Sequence, residues 1–136
     1  VSHLSPNFAV NHLEKKMIIV VSASGKTLDA QVDPRFGRAA FFIAVDSESG
    51  AFQAHDNVQN LSAAQGAGIQ SAETVSRLGA DVVITGNCGP KAFRTLSAAG
   101  IKVIVGGQGT VAEAIEAFKS GTLVPADAPN VEGHWA

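Results

Sequence analysis

An α/β domain, layered helix–sheet–helix around a mixed five-stranded sheet with about three helices, follows from three features of the sequence. Short β-branched runs end in glycine-containing loops. The later runs alternate with segments of helical period. No helical segment separates the first three strand-like runs.

Ile18-Ile19-Val20-Val21 has the uninterrupted apolar character of a strand buried on both faces, and it enters the loop Ser22-Ala23-Ser24-Gly25. Residues Ala40 to Asp46 and Ala51 to Asp56 flank the turn-rich Ser47-Glu48-Ser49-Gly50 and predict a hairpin. From Leu61 the period becomes helical through Ala64, Gly68, Ala72 and Val75, with Gly79 at the position of a left-handed C-terminal cap. Val82-Val83-Ile84-Thr85 is the next strand, followed by Gly86-Asn87-Cys88-Gly89 and by Pro90, which suits the first turn of a helix that Gly100 ends. Lys102-Val103-Ile104-Val105 is the last strand. Beyond Gly106-Gly107-Gln108-Gly109, Thr110-Val111-Ala112-Glu113 is a capping box opening a helix that Gly121 closes.

Two layouts accommodate this order. In a ribonuclease-H-like sheet the first strand lies between the hairpin and the later strands; the other layout is a flavodoxin-like doubly wound sheet. Strand connections without helices make antiparallel neighbours, which favours the ribonuclease-H-like form.

The chain has 136 residues, 46% of them hydrophobic, enough for one core without a staple. Domain organisation is read as an appended, vector-derived or processed leader over 1–16, with a genuine helical N-terminal arm as the alternative, a folded domain over 17–123 and a tail over 124–136 containing Pro125 and Pro129. A single cysteine excludes an intrachain disulfide and points to a reducing cytoplasm. Ten basic against twelve acidic side chains give a net charge of -2, with no field to draw nucleic acid. The apolar run Met17 to Val21 is far short of the roughly 20 residues that span a bilayer, so neither nucleic acid nor membrane is an expected partner.

If the second strand runs antiparallel to its neighbours, the loops Ser22 to Gly25, Asp33 to Arg38, His55 to Asn57, Gly86 to Gly89 and Gly106 to Gly109 converge on one edge. Glycine-rich turns into helix N-termini favour an anion, and Arg35, Arg38 and Lys26 add positive charge; the same glycines also serve ordinary tight turns. Neither loop has a Walker or a full dinucleotide pattern. Cys88, at a helix N-terminus, is a candidate soft-metal ligand with a stabilised thiolate, or else a small packed hydrophobe. His55 is a candidate metal ligand at a strand end, or an ordinary polar terminus. The first strand carries no Asp or Glu for a two-metal nuclease, and no Gly-x-Ser-x-Gly elbow is present, so an enzyme is not expected.

Met17-Ile-Ile-Val-Val-Ser, Asp33-Pro34-Arg35-Phe36-Gly37-Arg38-Ala39, Gln65-Gly66-Ala67-Gly68, Gly79-Ala80-Asp81-Val82-Val83-Ile84-Thr85-Gly86, the Gly89-Pro90 helix start and Gly100-Ile101-Lys102-Val103 together resemble the dinitrogenase iron–molybdenum cofactor-binding family over about Met17 to Leu123. The resemblance implies a ribonuclease-H-like fold and non-enzymatic binding or carriage of an iron–sulfur or iron–molybdenum cluster or its precursor, with cluster donor or acceptor proteins as partners. Nitrogenase-associated members commonly carry His-Phe-Gly where this chain has Arg35-Phe36-Gly37. A guanidinium offers donors only and no lone pair to a metal. Arg35 is therefore expected to contact an anionic cluster or its organic acid, while Phe36 and Gly37 keep the loop's shape. Cluster-binding positions are then Arg35, Phe36, Gly37, Arg38, Gly86, Asn87, Gly89, Gly107 and Gly109, with Cys88 and His55 as metal ligands by location. An anion- or nucleotide-binding regulatory module on the same loops is the alternative.

Overall fold

In the computed structural model, which describes residues 16–57 and 66–130, the sheet is built from β1 (Ile18–Ala23), β2 (Phe41–Asp46), β3 (Phe52–Asp56), β4 (Val82–Ile84) and β5 (Lys102–Ile104). The helices are α1 (Ala67–Arg77), α2 (Pro90–Ala98) and α3 (Val111–Lys119). The strand order is β3-β2-β1-β4-β5. β1 is antiparallel to β2 and β2 to β3, whereas β1–β4 and β4–β5 are parallel. The first strand is thus central, as its apolar character predicts, and the two antiparallel pairings select the ribonuclease-H-like layout over the flavodoxin-like one. All of the expected leader (1–16) except Lys16, the start of the helical period (Leu61 to Gln65) and residues 131–136 lie outside the described residues.

Alternation along the strands sends side chains to two cores. On one face Ile19, Val21, Ile43, Val45 and Ile84 pack with Val111, Ala114 and Ile115 of α3. On the other, Val20, Phe42, Val83 and Val103 pack with Ala72 and Val75 of α1 and with Ala92 and Leu96 of α2. A sheet covered on both sides requires strands that are apolar on both sides, and from Ile19 onward every residue of β1 is buried.

The local signals act where expected. Thr110 Oγ1 accepts from the Glu113 N–H (3.1 Å) and Glu113 Oε1 accepts from the Thr110 N–H (2.9 Å), completing the capping box of α3. Pro90 occupies the first turn of α2. Gly79 and Gly100 both take φ of +79° just past α1 and α2, a conformation that costs L side chains steric strain. In the β2–β3 turn Asp46 Oδ1 accepts from the N–H groups of Glu48 (2.8 Å) and Ser49 (3.1 Å). The Ser49 and then the Glu48 N–H hold its carboxyl below the ordinary carboxylate pKa, and Lys16 at 3.4 Å adds to this.

Residues 124–130, in the stretch expected as a tail because two prolines break any period, are hydrogen-bonded to the domain. The Ala126 N–H donates to the Val103 carbonyl of β5 (2.8 Å), and the Asn130 N–H to the Cys88 carbonyl (3.2 Å). The stretch is held by backbone and amide hydrogen bonds rather than by an apolar face, which is why periodicity does not reveal it.

Candidate functional site

Ala23, Phe41 and Asp56 share one row of the sheet, and Ile84 and Ile104 end level with Val21. The loops after β1, β4 and β5 and the entry to β2 therefore emerge from one edge, as the topology requires. The centre of that edge is the loop Asp33 to Arg38, which crosses from β1 toward β2.

Polar groups, most of them buried, fix this loop from three sides. Ser22 Oγ, fully buried in β1, lies 2.8 Å from the Asp33 carbonyl oxygen and 2.8 Å from Thr85 Oγ1 beyond β4. Asn87 holds the next residues: its Nδ2 donates to the Pro34 carbonyl (3.0 Å) and its carbonyl accepts from the Phe36 N–H (3.2 Å). On the far side, Asn57 Nδ2 donates to the carbonyls of Gly37 (3.3 Å) and Ala39 (2.9 Å), and Ser71 Oγ of α1 donates to the Gly37 carbonyl (3.0 Å). Asp33 Oδ1 accepts from the Arg35 N–H (3.1 Å), closing the turn locally. Beneath, Phe36 has no exposed surface and its ring centroid lies 5.3 Å from that of Phe42.

A loop whose backbone is tied down and whose middle side chain is buried has to turn its other long side chains outward. Arg35 and Arg38, on either side of Phe36-Gly37, are exposed, and neither forms an ion pair among the described residues. Lys26 is also exposed, with Nζ 5.5 Å from the centre of the Phe41 ring. The edge therefore presents cations held on a fixed frame.

The glycines serve mainly to bring the loops together. A Cβ on Gly86 would stand 2.8 Å from Pro34 Cα and 2.9 Å from the Pro34 oxygen, so only glycine lets the β4 loop touch the arginine loop. The N–H of Gly106 donates to the Gly86 carbonyl and that of Gly107 to the Thr85 carbonyl, both at 2.9 Å. Those two amides are committed to stitching β5 to β4, not to cradling a ligand. The Gly109 carbonyl likewise accepts from the Val32 N–H (2.9 Å). Gly89 is the N-cap of α2 and makes no side-chain cap.

The two expected metal ligands are not brought together. Cys88 is fully buried in the core under α1 and α2, whereas His55 is partly exposed on the edge strand β3. β3 is three strand positions from β4, about 14 Å at ~4.8 Å per position. Among the described residues no three His, Cys, Asp or Glu side chains group closely enough to hold a metal ion.

The expected stabilisation of the Cys88 thiolate is also overturned, because desolvation acts in the opposite sense to the helix N-terminus. Burial pushes the Cys88 thiol up from 9.0 to about 12. With the folded pKa above the unfolded one, the thiol's contribution to stability is complete below about pH 9 and is lost as pH rises toward 12, since the unfolded chain releases the proton first. Urea titrations across that range should show wild type losing stability more steeply than Cys88→Ala, with an excess slope of up to about 1.4 kcal/mol per pH unit. Equal slopes would show that the thiol titrates normally in the folded protein.

Asn130 takes part in the site without a sequence signal. Its Oδ1 accepts from the Cys88 N–H (2.8 Å), while its Nδ2 donates to Asn87 Oδ1 (3.1 Å) and, at a longer 3.4 Å, to the Gly86 carbonyl.

Comparison with known proteins bears on the family and the fold. The family model for dinitrogenase iron-molybdenum cofactor matches residues 17–121. An uncharacterised protein of Methanocaldococcus jannaschii is 30% identical over 95 residues, covering 68% of this chain and 80% of its own length. Among solved structures, the apo form of the orange protein from Desulfovibrio gigas superposes with a TM-score of 0.81 at 44% identity, over 85% of this chain and 97% of that one. A Thermotoga protein proposed to be a NifB protein gives a TM-score of 0.72 at 36% identity, over 86% of this chain and 99% of that one. With a family model spanning both halves of the sheet and the loop edge between them, the chain belongs to the dinitrogenase iron-molybdenum cofactor family.

Proposed function

We propose that this protein binds and carries an anionic iron–sulfur or iron–molybdenum cluster, or a precursor of one, at the carboxyl edge of the sheet, and that it holds this cargo by charge and hydrogen bonding. The observation that carries the proposal is the tethered loop that exposes Arg35 and Arg38, neither with an acidic partner among the described residues. A protonated guanidinium suits the sulfide and carboxylate groups of such a cargo and cannot ligate its metals. The buried, protonated Cys88 and the remote His55 leave little for a thiolate or imidazole ligand set. Membership of a family named for the iron–molybdenum cofactor supports the choice of cargo, and so does likeness to a protein solved in an apo form, which is a protein with something to bind. The role is non-catalytic, and the partners are the proteins that donate the cluster and receive it.

Anaerobic incubation with ferrous iron and sulfide, followed by desalting, tests this by visible absorption and iron content. Wild type and Cys88→Ala are expected to retain similar colour, and added salt to strip it. Wild type that folds yet retains no iron would remove the cluster assignment and leave an anion-binding module on the same loops. Loss of iron in a folded Cys88→Ala would restore thiolate ligation.

A further inference from the structure

Residues 124–130 have no helix or strand and bury little; Val124 is 64% exposed. They are nevertheless fastened at both ends. Ala126 donates to the edge strand β5, and Asn130 uses its backbone N–H, Oδ1 and Nδ2 on three successive residues of the β4 loop: Gly86, Asn87 and Cys88. Asn87 in turn holds Pro34 and Phe36 of the arginine loop. A continuous path of hydrogen bonds thus runs from the C-terminal segment through Asn87 to the residues flanking Arg35.

We propose that residues 124–130 form a releasable strap whose Asn130 carboxamide latches the Gly86–Cys88 turn and, through Asn87, holds the arginine loop. Two features make the strap separable from the core. It rests on a few hydrogen bonds near solvent, the property of segments that open locally well below the global unfolding free energy. Its contacts also end on a loop and on a strand edge, so releasing it breaks no sheet pairing between β1 and β4. Asn130 is a positioning residue: it touches the turn, and the turn holds the loop. The strap does not depend on the nature of the cargo, so it stands or falls separately from cluster binding.

Native-state hydrogen exchange on the full chain tests it without any ligand. In wild type the amides of Cys88 and Ala126 should exchange through a shared local opening, at least tenfold faster than Val20 and Val83. Asn130→Ala should speed Cys88 a further tenfold, speed Phe36 detectably, and leave Val20 unchanged. Exchange of Cys88 only together with Val20 and Val83 in wild type would overturn the strap, and this outcome needs no variant to fold. An Asn130→Ala variant that leaves Cys88 unchanged, or that speeds all these amides equally, would overturn the latch.

Discussion

Phe36→Ala is expected to cost about 3–5 kcal/mol of folding stability, in the range for truncating a fully buried aromatic ring. Phe36 has no exposed surface and packs against Phe42 in the core shared with α1 and α2, so the cavity would open directly beneath the arginine loop. The loop's polar tethers would remain, but they fix the backbone and cannot refill the space. Phe36→Leu keeps much of the volume and should lose less than half as much. Urea denaturation of the three proteins, with equal m-values to show that the same surface is exposed, gives the comparison. A loss under about 1 kcal/mol for Phe36→Ala would mean that the hydrogen bonds alone hold the loop.

Arg35→Glu combined with Arg38→Glu is expected to weaken retention of a reconstituted anionic cluster at least tenfold at low salt, equivalent to about 1.4 kcal/mol. Both side chains are exposed and extend from a fixed backbone, so reversal changes the charge of the edge without disturbing the core. Stability should move by only about 0.5 kcal/mol. The difference between wild type and variant should shrink at high salt, where the Debye length falls to a few ångströms. Arg35→His should bind more weakly than wild type if charge holds the cargo and more tightly if imidazole ligation does. Equal retention by wild type and the double variant at low salt would remove the arginines from the site.

The order of strands, the capping box of α3 and the converging edge were legible because each rests on local chemistry: β-branched runs, Thr110 with Glu113, and glycine at the end of an apolar strand. The arginine loop was legible as composition, since Asp33 to Arg38 joins a turn former to exposed cations around one aromatic residue. What fixes it was not. Ser22 with Thr85, and Asn57 with Ser71, pair across 63 and 14 residues, and no period or spacing marks a polar residue that a distant strand will bury. Asn130 was hidden for the same reason, in a proline-containing stretch with no apolar face. Cys88 failed in the opposite way. A helix N-terminus lowers a thiol pKa only where water or a cation remains nearby, and the depth of burial that reverses the sign is set by α1 and α2 together.

The central position of β1 bears on how the chain acquires its site as it is made. A nascent chain that has emerged only as far as β3 contains the whole β1–β2–β3 meander and both arginines, but neither Thr85 nor Asn87 exists yet to fasten the loop between them. β4 must then insert beside β1, on the side away from the hairpin, before the loop acquires its second support. Closing that parallel pair carries the entropy cost of a long intervening segment, so it belongs to the late part of folding. An incomplete chain displays the cations without the frame. Under the proposed role, only a finished molecule offers an anionic cargo a preorganised place to settle.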